Sequence, residues 1–147
     1  GGTYVKREYP DSPVPGVAAI VFRGLDVLLV RRGNEPSKGE LGIPGGVVEL
    51  GETTQETIVR EVEEETGIIV KPLRVIDVLD SIVRDDEGGV RFHYVITEFL
   101  CEPIGGALRA SSDVSDARWA PLESLGDLNV MPMTKALIER AAREENL

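Results

Sequence analysis

The chain has 147 residues, 41% of them apolar and 29% charged, which is the composition of a globular protein long enough to bury a core. Its 26 acids against 16 bases give a formal net charge of −10, which excludes a basic nucleic-acid track and disfavours docking on anionic lipid. A single cysteine, Cys101, excludes an internal disulfide framework and suits a reducing compartment. No apolar run approaches the roughly 20 residues that span a bilayer. No signal peptide is visible, so the reading is a cytoplasmic protein without membrane or nucleic-acid partners.

Residues 1–13 lack periodicity and read as an irregular segment. Val17-Ala18-Ala19-Ile20-Val21-Phe22 is a continuous apolar run of the kind that forms a strand buried on both faces. Arg23-Gly24-Leu25-Asp26 reads as a turn and Val27-Leu28-Leu29-Val30 as the returning strand. Leu41-Gly42-Ile43-Pro44-Gly45-Gly46 is punctuated by glycine and proline and reads as irregular. Thr53 to Thr66 reads as a helix, with Thr53 and Glu56 in capping-box spacing and Gly67 in the place of a terminating glycine. Ile68 to Arg84 and Val90 to Cys101 read as strands joined through Asp85-Asp86-Glu87-Gly88-Gly89, the second presenting Val90, Phe92, Tyr94 and Ile96 on one face. Residues 104–117 read as a loop and Arg118-Trp119-Ala120 as a short strand. Pro132 to Asn146 reads as an amphipathic helix with Leu137, Ile138 and Ala141 inward. Mixed strands and helices with no linker predict one α/β (α+β) domain over residues 1–147.

Charge is concentrated between Gly46 and Ile68, which hold seven glutamates (49, 52, 56, 61, 63, 64 and 65) and one base, Arg60. At about 100° per residue, Ile58, Val59 and Val62 share an apolar arc. Glu61, Glu64 and Glu65 crowd the adjacent one. Like charges at these spacings repel by a few tenths of a kcal/mol per pair, so the flank calls for a compensating cation. Read alone, such a run is a solvated acidic face. A sharp Gly45-Gly46 turn just before the helix adds a backbone carbonyl beside the carboxylates. All-oxygen donors of this kind suit a hard divalent cation, and Mg²⁺ in particular shares its coordination with substrate phosphates.

The segment Gly46-x5-Glu52-x7-Arg60-Glu61-Val62-x-Glu64-Glu65-x-Gly67-Ile68 resembles the Nudix box, with every specified position filled. Val27 to Arg32, Ile43-Pro44-Gly45-Gly46 and Ala117-Arg118-Trp119-Ala120-Pro121-Leu122 resemble the same family more loosely. The resemblance implies a Nudix α/β/α sandwich, a mixed sheet between helices. It implies that Glu61, Glu64 and Glu65, with the Gly45 carbonyl, bind Mg²⁺ or its substitute Mn²⁺. It makes Arg60 the residue that orients the glutamates, with Glu52 as its partner, while Gly46 and Gly67 shape the loop and close the helix. The implied catalytic set is Glu61, Glu64, Glu65 and Arg60. The implied reaction is hydrolysis of the diphosphate bond of a nucleoside diphosphate derivative, with ADP-ribose or another nucleotide sugar favoured. A homodimer is expected on the same grounds.

The attacking water needs a base, for which Glu64, Glu65, Glu98, Glu102, Asp113 and Asp116 are candidates. Each of the last four is equally a solvated acid of a strand end or loop. The resemblance implies that Arg32 touches substrate phosphate, a role that suits arginine, with Arg31 beside it and Lys38 a weaker choice. Tyr4, Phe22, Phe92, Tyr94 and Trp119 are candidates to stack on a base, although most aromatics are core. His93, the only histidine, reads as structural, and Cys101 as an inert buried thiol. Two other functions compete: hydrolysis of (deoxy)nucleoside triphosphates, and ligand sensing by a Nudix fold without turnover. The complete set of glutamates argues against the second.

Overall fold

The computed structural model describes residues 6–109 and 117–147. Its elements in chain order are β1 (Val14–Arg23), β2 (Asp26–Arg31), β3 (Leu41–Gly42), β4 (Gly45–Val47), α1 (Thr54–Thr66), β5 (Ile68–Arg84), β6 (Val90–Gly106), β7 (Ala117–Pro121) and α2 (Pro132–Glu144). A 3-10 helix, Leu122–Asp127, precedes α2.

The apolar run after Gly16 becomes the strand around which the sheet is built. β1 runs parallel to β6, from Val14 opposite Tyr94 to Val21 opposite Cys101, and every other strand pair is antiparallel. The sheet order is β3-β2-β1-β6-β5. β1 and β2 pair only at their hairpin end, Phe22 with Val27 and Arg23 with Asp26. Gly24, at φ 59, takes the left-handed conformation of that two-residue turn. Below the turn the two strands part. β4 takes the freed edge of β1, from Gly16 opposite Val47 to Ala18 opposite Gly45, and β7 takes the edge of β2. This parting opens the sheet and makes room for a site.

Side chains alternate between two cores, one under each helix. Val17, Ala19, Val21, Leu28, Phe99 and Cys101 pack with Ile58 and Val62 of α1. Ile20, Val27, Leu29 and Leu100 pack with Ile138 and Ala141 of α2. The architecture is therefore a mixed sheet between helices. Ile58, Val62 and Ile138 are fully buried, each side chain stabilising the fold by about 1.5–3 kcal/mol.

Local chemistry sets the ends of α1. The Thr53 hydroxyl accepts from the Glu56 N–H at 3.1 Å, and the Glu56 carboxylate accepts from the Thr53 N–H at 3.0 Å. At the other end Gly67 has φ 86, and a Cβ there would also overlap the Ala107 carbonyl.

Two stretches differ from the sequence reading. Leu41 to Gly46, read as irregular, contributes the short strands β3 and β4. They exist because the parting of β1 and β2 leaves unpaired edges, a tertiary opportunity that local glycine and proline content does not reveal. β6 continues to Gly106, past the expected loop start at residue 104, because Ile68 and Ile69 pair with Gly106 and Gly105. On α2, Leu137, Ile138 and Ala141 face the core as read, Leu137 half-buried against it.

Gly67→Ala should destabilise the protein by more than about 1 kcal/mol, since the left-handed backbone and the overlap act together. Urea unfolding followed by circular dichroism measures it.

Candidate active site

Helix α1 brings its glutamates against the glycines of β4. At 17% side-chain exposure, Glu61 lies directly over Gly46, whose Cβ, if present, would overlap the Glu61 carboxylate. The place of Glu61 thus depends on that glycine having no side chain. Gly45 occupies a non-hydrogen-bonded position of the β1–β4 ladder, flanked by the Ala19 N–H to Pro44 carbonyl bond, 2.9 Å. Its N–H and carbonyl therefore both face away from β1. The N–H donates to Glu65 Oε1 at 3.0 Å, and the carbonyl points to the same side.

Arg60 ties the acids together. Its Nε and Nη2 make a bidentate pair with Glu52, at 2.7 and 2.8 Å. Its Nη1 reaches Glu61 at 2.7 Å and Glu64 at 3.3 Å. This bonding holds the Glu52 carboxyl down at about 2 and raises the arginine. Burial pushes Glu61 up despite Arg60, and pushes Glu65 up to about 7 despite the Gly45 N–H.

Glu61 and Glu65 line a cavity of about 440 Å³ at the parting of β1 and β2. Glu64 does not join them there. It is 59% exposed and borders a neighbouring open groove with Val59, Glu63, Pro72 and Arg109. Among the described residues no three carboxylate, imidazole or thiol groups converge on one point. Like charges one turn apart repel, and Arg60, the single bridge, spans Glu61 and Glu64 without gathering all three. The donor set is nonetheless all oxygen: three carboxylates and one free carbonyl, two of the carboxylates raised by burial. Such a set fits a hard divalent cation.

The other candidates sort by position. Arg32 lines the cavity, its Nε donating to the Pro36 carbonyl at 2.8 Å. Arg31 lines it too, while its Nη1 holds the Gly39 carbonyl at 2.9 Å. Lys38 is exposed and does not line it. Glu98 lines the cavity and is buried, whereas Glu102 is exposed and does not. Asp113, Asp116 and Tyr4 lie outside the described residues. Of the remaining aromatics, Tyr94 lines the cavity. Phe22 packs toward the α2 core, Phe92 is buried, and Trp119 packs on the α1 core beneath the Arg23 guanidinium, 4.3 Å from its ring centre. His93 pairs with Ile82 on the face away from the cavity. Burial pushes the Cys101 thiol up to about 12, so it is inert.

Sequence reasoning did not single out Arg7, Leu79, Met131 or Thr134, all of which line the cavity. Arg7 arrives on the irregular N-terminal segment, which is pinned to the β5–β6 hairpin by Tyr9 to Asp85, 2.8 Å, and Arg91 to Glu8, 2.8 Å. No local pattern announces such a placement. The floor carried a usable signal: Gly16 and Ala18, two positions apart on one face of an otherwise bulky strand.

Arg60→Ala should leave the fold intact and lower function at this site by roughly 10–100-fold, since it removes an orienting group beside the ligands. A cation titration of both proteins measures it. Burial and the facing charge of Asp77 raise the Glu98 carboxyl from 4.5 to about 7, against the opposing pull of Arg140. A raised acid favours folding below its unfolded value and loses that contribution as pH climbs through its folded value. Relative to Glu98→Gln, the native chain should therefore lose stability as pH rises from 4.5 to 7, measured by urea unfolding across that range.

The NUDIX domain family model matches residues 12–141. The chain is 39% identical over 116 residues to a protein of Methanocaldococcus jannaschii named ADP-ribose pyrophosphatase, an alignment covering 79% of this chain and 66% of that one. It is 38% identical over 103 residues to a MutT-like protein of Streptomyces ambofaciens, covering 70% of this chain and 60% of that one. The chain thus spans less than two thirds of the length of either relative. Its fold superposes on the crystal structure of a MutT NUDIX hydrolase from Burkholderia pseudomallei with a TM-score of 0.70 at 26% identity, covering 88% of this chain and 98% of that one. Together with a filled box at residues 46–68 and a mixed sheet between helices, the match shows that the chain belongs to the NUDIX domain family.

Proposed function

We propose that this chain is a Mg²⁺-dependent pyrophosphohydrolase acting on a nucleoside diphosphate derivative, with ADP-ribose or another nucleotide sugar as the favoured substrate. The observation that carries the reading is the placement of Glu61 and Glu65 against Gly46 and the Gly45 N–H, at the edge of a cavity lined across from them by Arg32. Anionic ligands for a cation and a cationic ligand for phosphate share one space. The name of the Methanocaldococcus jannaschii relative supports the choice of ADP-ribose.

Glu61, Glu64, Glu65 and the Gly45 carbonyl are the residues that would hold Mg²⁺. When bound, the cation lowers the pKa of a water and draws charge from the phosphoryl oxygens. Arg60 fixes the direction of Glu61 and Glu64 and is a positioning residue. Arg32 receives the diphosphate, and Arg7 adds positive charge at the mouth. Water adds to one phosphorus, the bridging P–O bond breaks, and the products are a nucleoside monophosphate and the phosphorylated remainder. Hydrolysis of nucleoside triphosphates is the second reading.

The test is incubation with Mg²⁺ and a panel of ADP-ribose, other nucleotide sugars and nucleoside triphosphates, reading phosphate released by a coupled phosphatase. Turnover of the nucleotide sugars is expected, and absence of turnover throughout would overturn the proposal. Glu64→Gln should lower turnover by orders of magnitude with an unchanged circular dichroism spectrum, because Glu64 is exposed and supports no packing. Near-normal turnover in that variant would place the cation elsewhere.

A further inference from the structure

Glu98 is a buried acid that receives no donor from the described residues. It is 8% exposed and lines the cavity. Among the described residues it accepts no hydrogen bond and makes no ion pair. The charged groups facing it are occupied with one another. Asp77, its cross-strand partner, takes Arg140 Nη1 on Oδ2 at 3.0 Å and the Val78 N–H on Oδ1 at 2.8 Å. Arg140 spends its remaining donors on the Ile76 carbonyl and Glu144. With no partner in the described residues and not among their fully buried orphan atoms, its oxygens open onto the cavity. A ligand in the cavity that brings a donor would find this acceptor unused.

The register shows where such a ligand would lie. Gly45, Ala18 and Glu98 stand in one row across β4, β1 and β6. Two strand spacings separate the ends of the row, about 10 Å. One end carries Glu65 on the Gly45 N–H, and the other carries Glu98. Between them the floor is made of Ala18 and its neighbour Gly16, where a Cβ would already sit 3.3 Å from the Gly46 carbonyl and 3.6 Å from Ile96. Ile96, Leu79 and Tyr94 wall the far end. The slot is flat and apolar, has the span of a sugar and a ring, and ends in an acceptor.

We propose that Glu98 reads the nucleobase of the substrate by accepting a hydrogen bond from its exocyclic amino group, so that the site prefers bases carrying such a group. This rests on the reading of the cavity as a nucleotide site. Adenine and cytosine present an amino donor on the edge away from the sugar, and a carboxyl oxygen accepts from it. The carboxyl offers that oxygen whether ionised or protonated.

The test compares α,β-methylene ADP with the same compound built on purine riboside, which differs only by the missing amino group. Calorimetric binding with Mg²⁺ present is measured for the native chain, Glu98→Gln and Glu98→Ala. The native chain should prefer the adenine compound by about tenfold, the worth of one hydrogen bond to a buried charged acceptor. The preference should collapse toward unity in Glu98→Ala. In Glu98→Gln it should be partly kept, because the amide oxygen still accepts. Equal binding of the two compounds by the native chain, or a preference that survives in Glu98→Ala, would overturn the proposal, as would failure to bind either. Turnover lost equally for substrates with and without the amino group, with the preference intact, would assign Glu98 to the chemistry instead and overturn it too. A base preference without any turnover in the nucleotide panel would sink the hydrolase reading and leave this one standing.

Discussion

One guanidinium governs the acidic region. Arg60 is the only base among seven glutamates between residues 46 and 68, and its guanidinium donates to Glu52, Glu61, Glu64 and the Val47 carbonyl. The bidentate pair with Glu52 anchors it to the loop before α1, so the arginine is fixed from outside the helix it sits on. From there it turns Glu61 onto Gly46 and leaves Glu65 to the Gly45 N–H. Without this bridge the helix would carry several like charges on one flank with no local compensation.

The net charge of −10 gains meaning from this arrangement. Seven acids and one base between residues 46 and 68 contribute −6, so the other 124 residues hold −4. Most of the excess lies where a divalent cation would offset it and where a diphosphate would then be attracted rather than repelled. Away from that region acids and bases pair locally, as in Arg74 with Glu144 and Glu145 or Arg140 with Asp77.

What could be read from the chain and what could not divide along physical lines. The helix α1 announced itself through Thr53, Glu56 and Gly67 because caps act within a few residues. The strand after Gly16 did so because burial on both faces leaves an unbroken apolar run. The short strands β3 and β4 were hidden because they depend on the parting of β1 and β2, which is a property of pairing and not of composition. The glutamates were legible from spacing on one helix. That Glu61 and Glu65 turn to the cavity while Glu64 turns to a neighbouring groove was not, since it depends on how Arg60 divides its donors. Arg7 reaches the cavity from the N-terminal segment with nothing near it to mark it, and Glu98, one of several candidate acids, is separated from Glu102 only by the pairing of β6 with β1.

The parallel ladder between β1 and β6 also orders assembly in time. Val14 waits for Tyr94, about 80 residues further on, and so the floor of the cavity and its far wall close only when most of the chain is present. The caps of α1 involve only neighbouring residues, whereas its buried face needs β1 and β6 before it is covered. Such non-local closure slows folding more than it costs stability. On the ribosome, β1 to β4 and then the acidic helix emerge before β5 and β6, so the apolar central strand β1 waits without its parallel partner until most of the chain has been made.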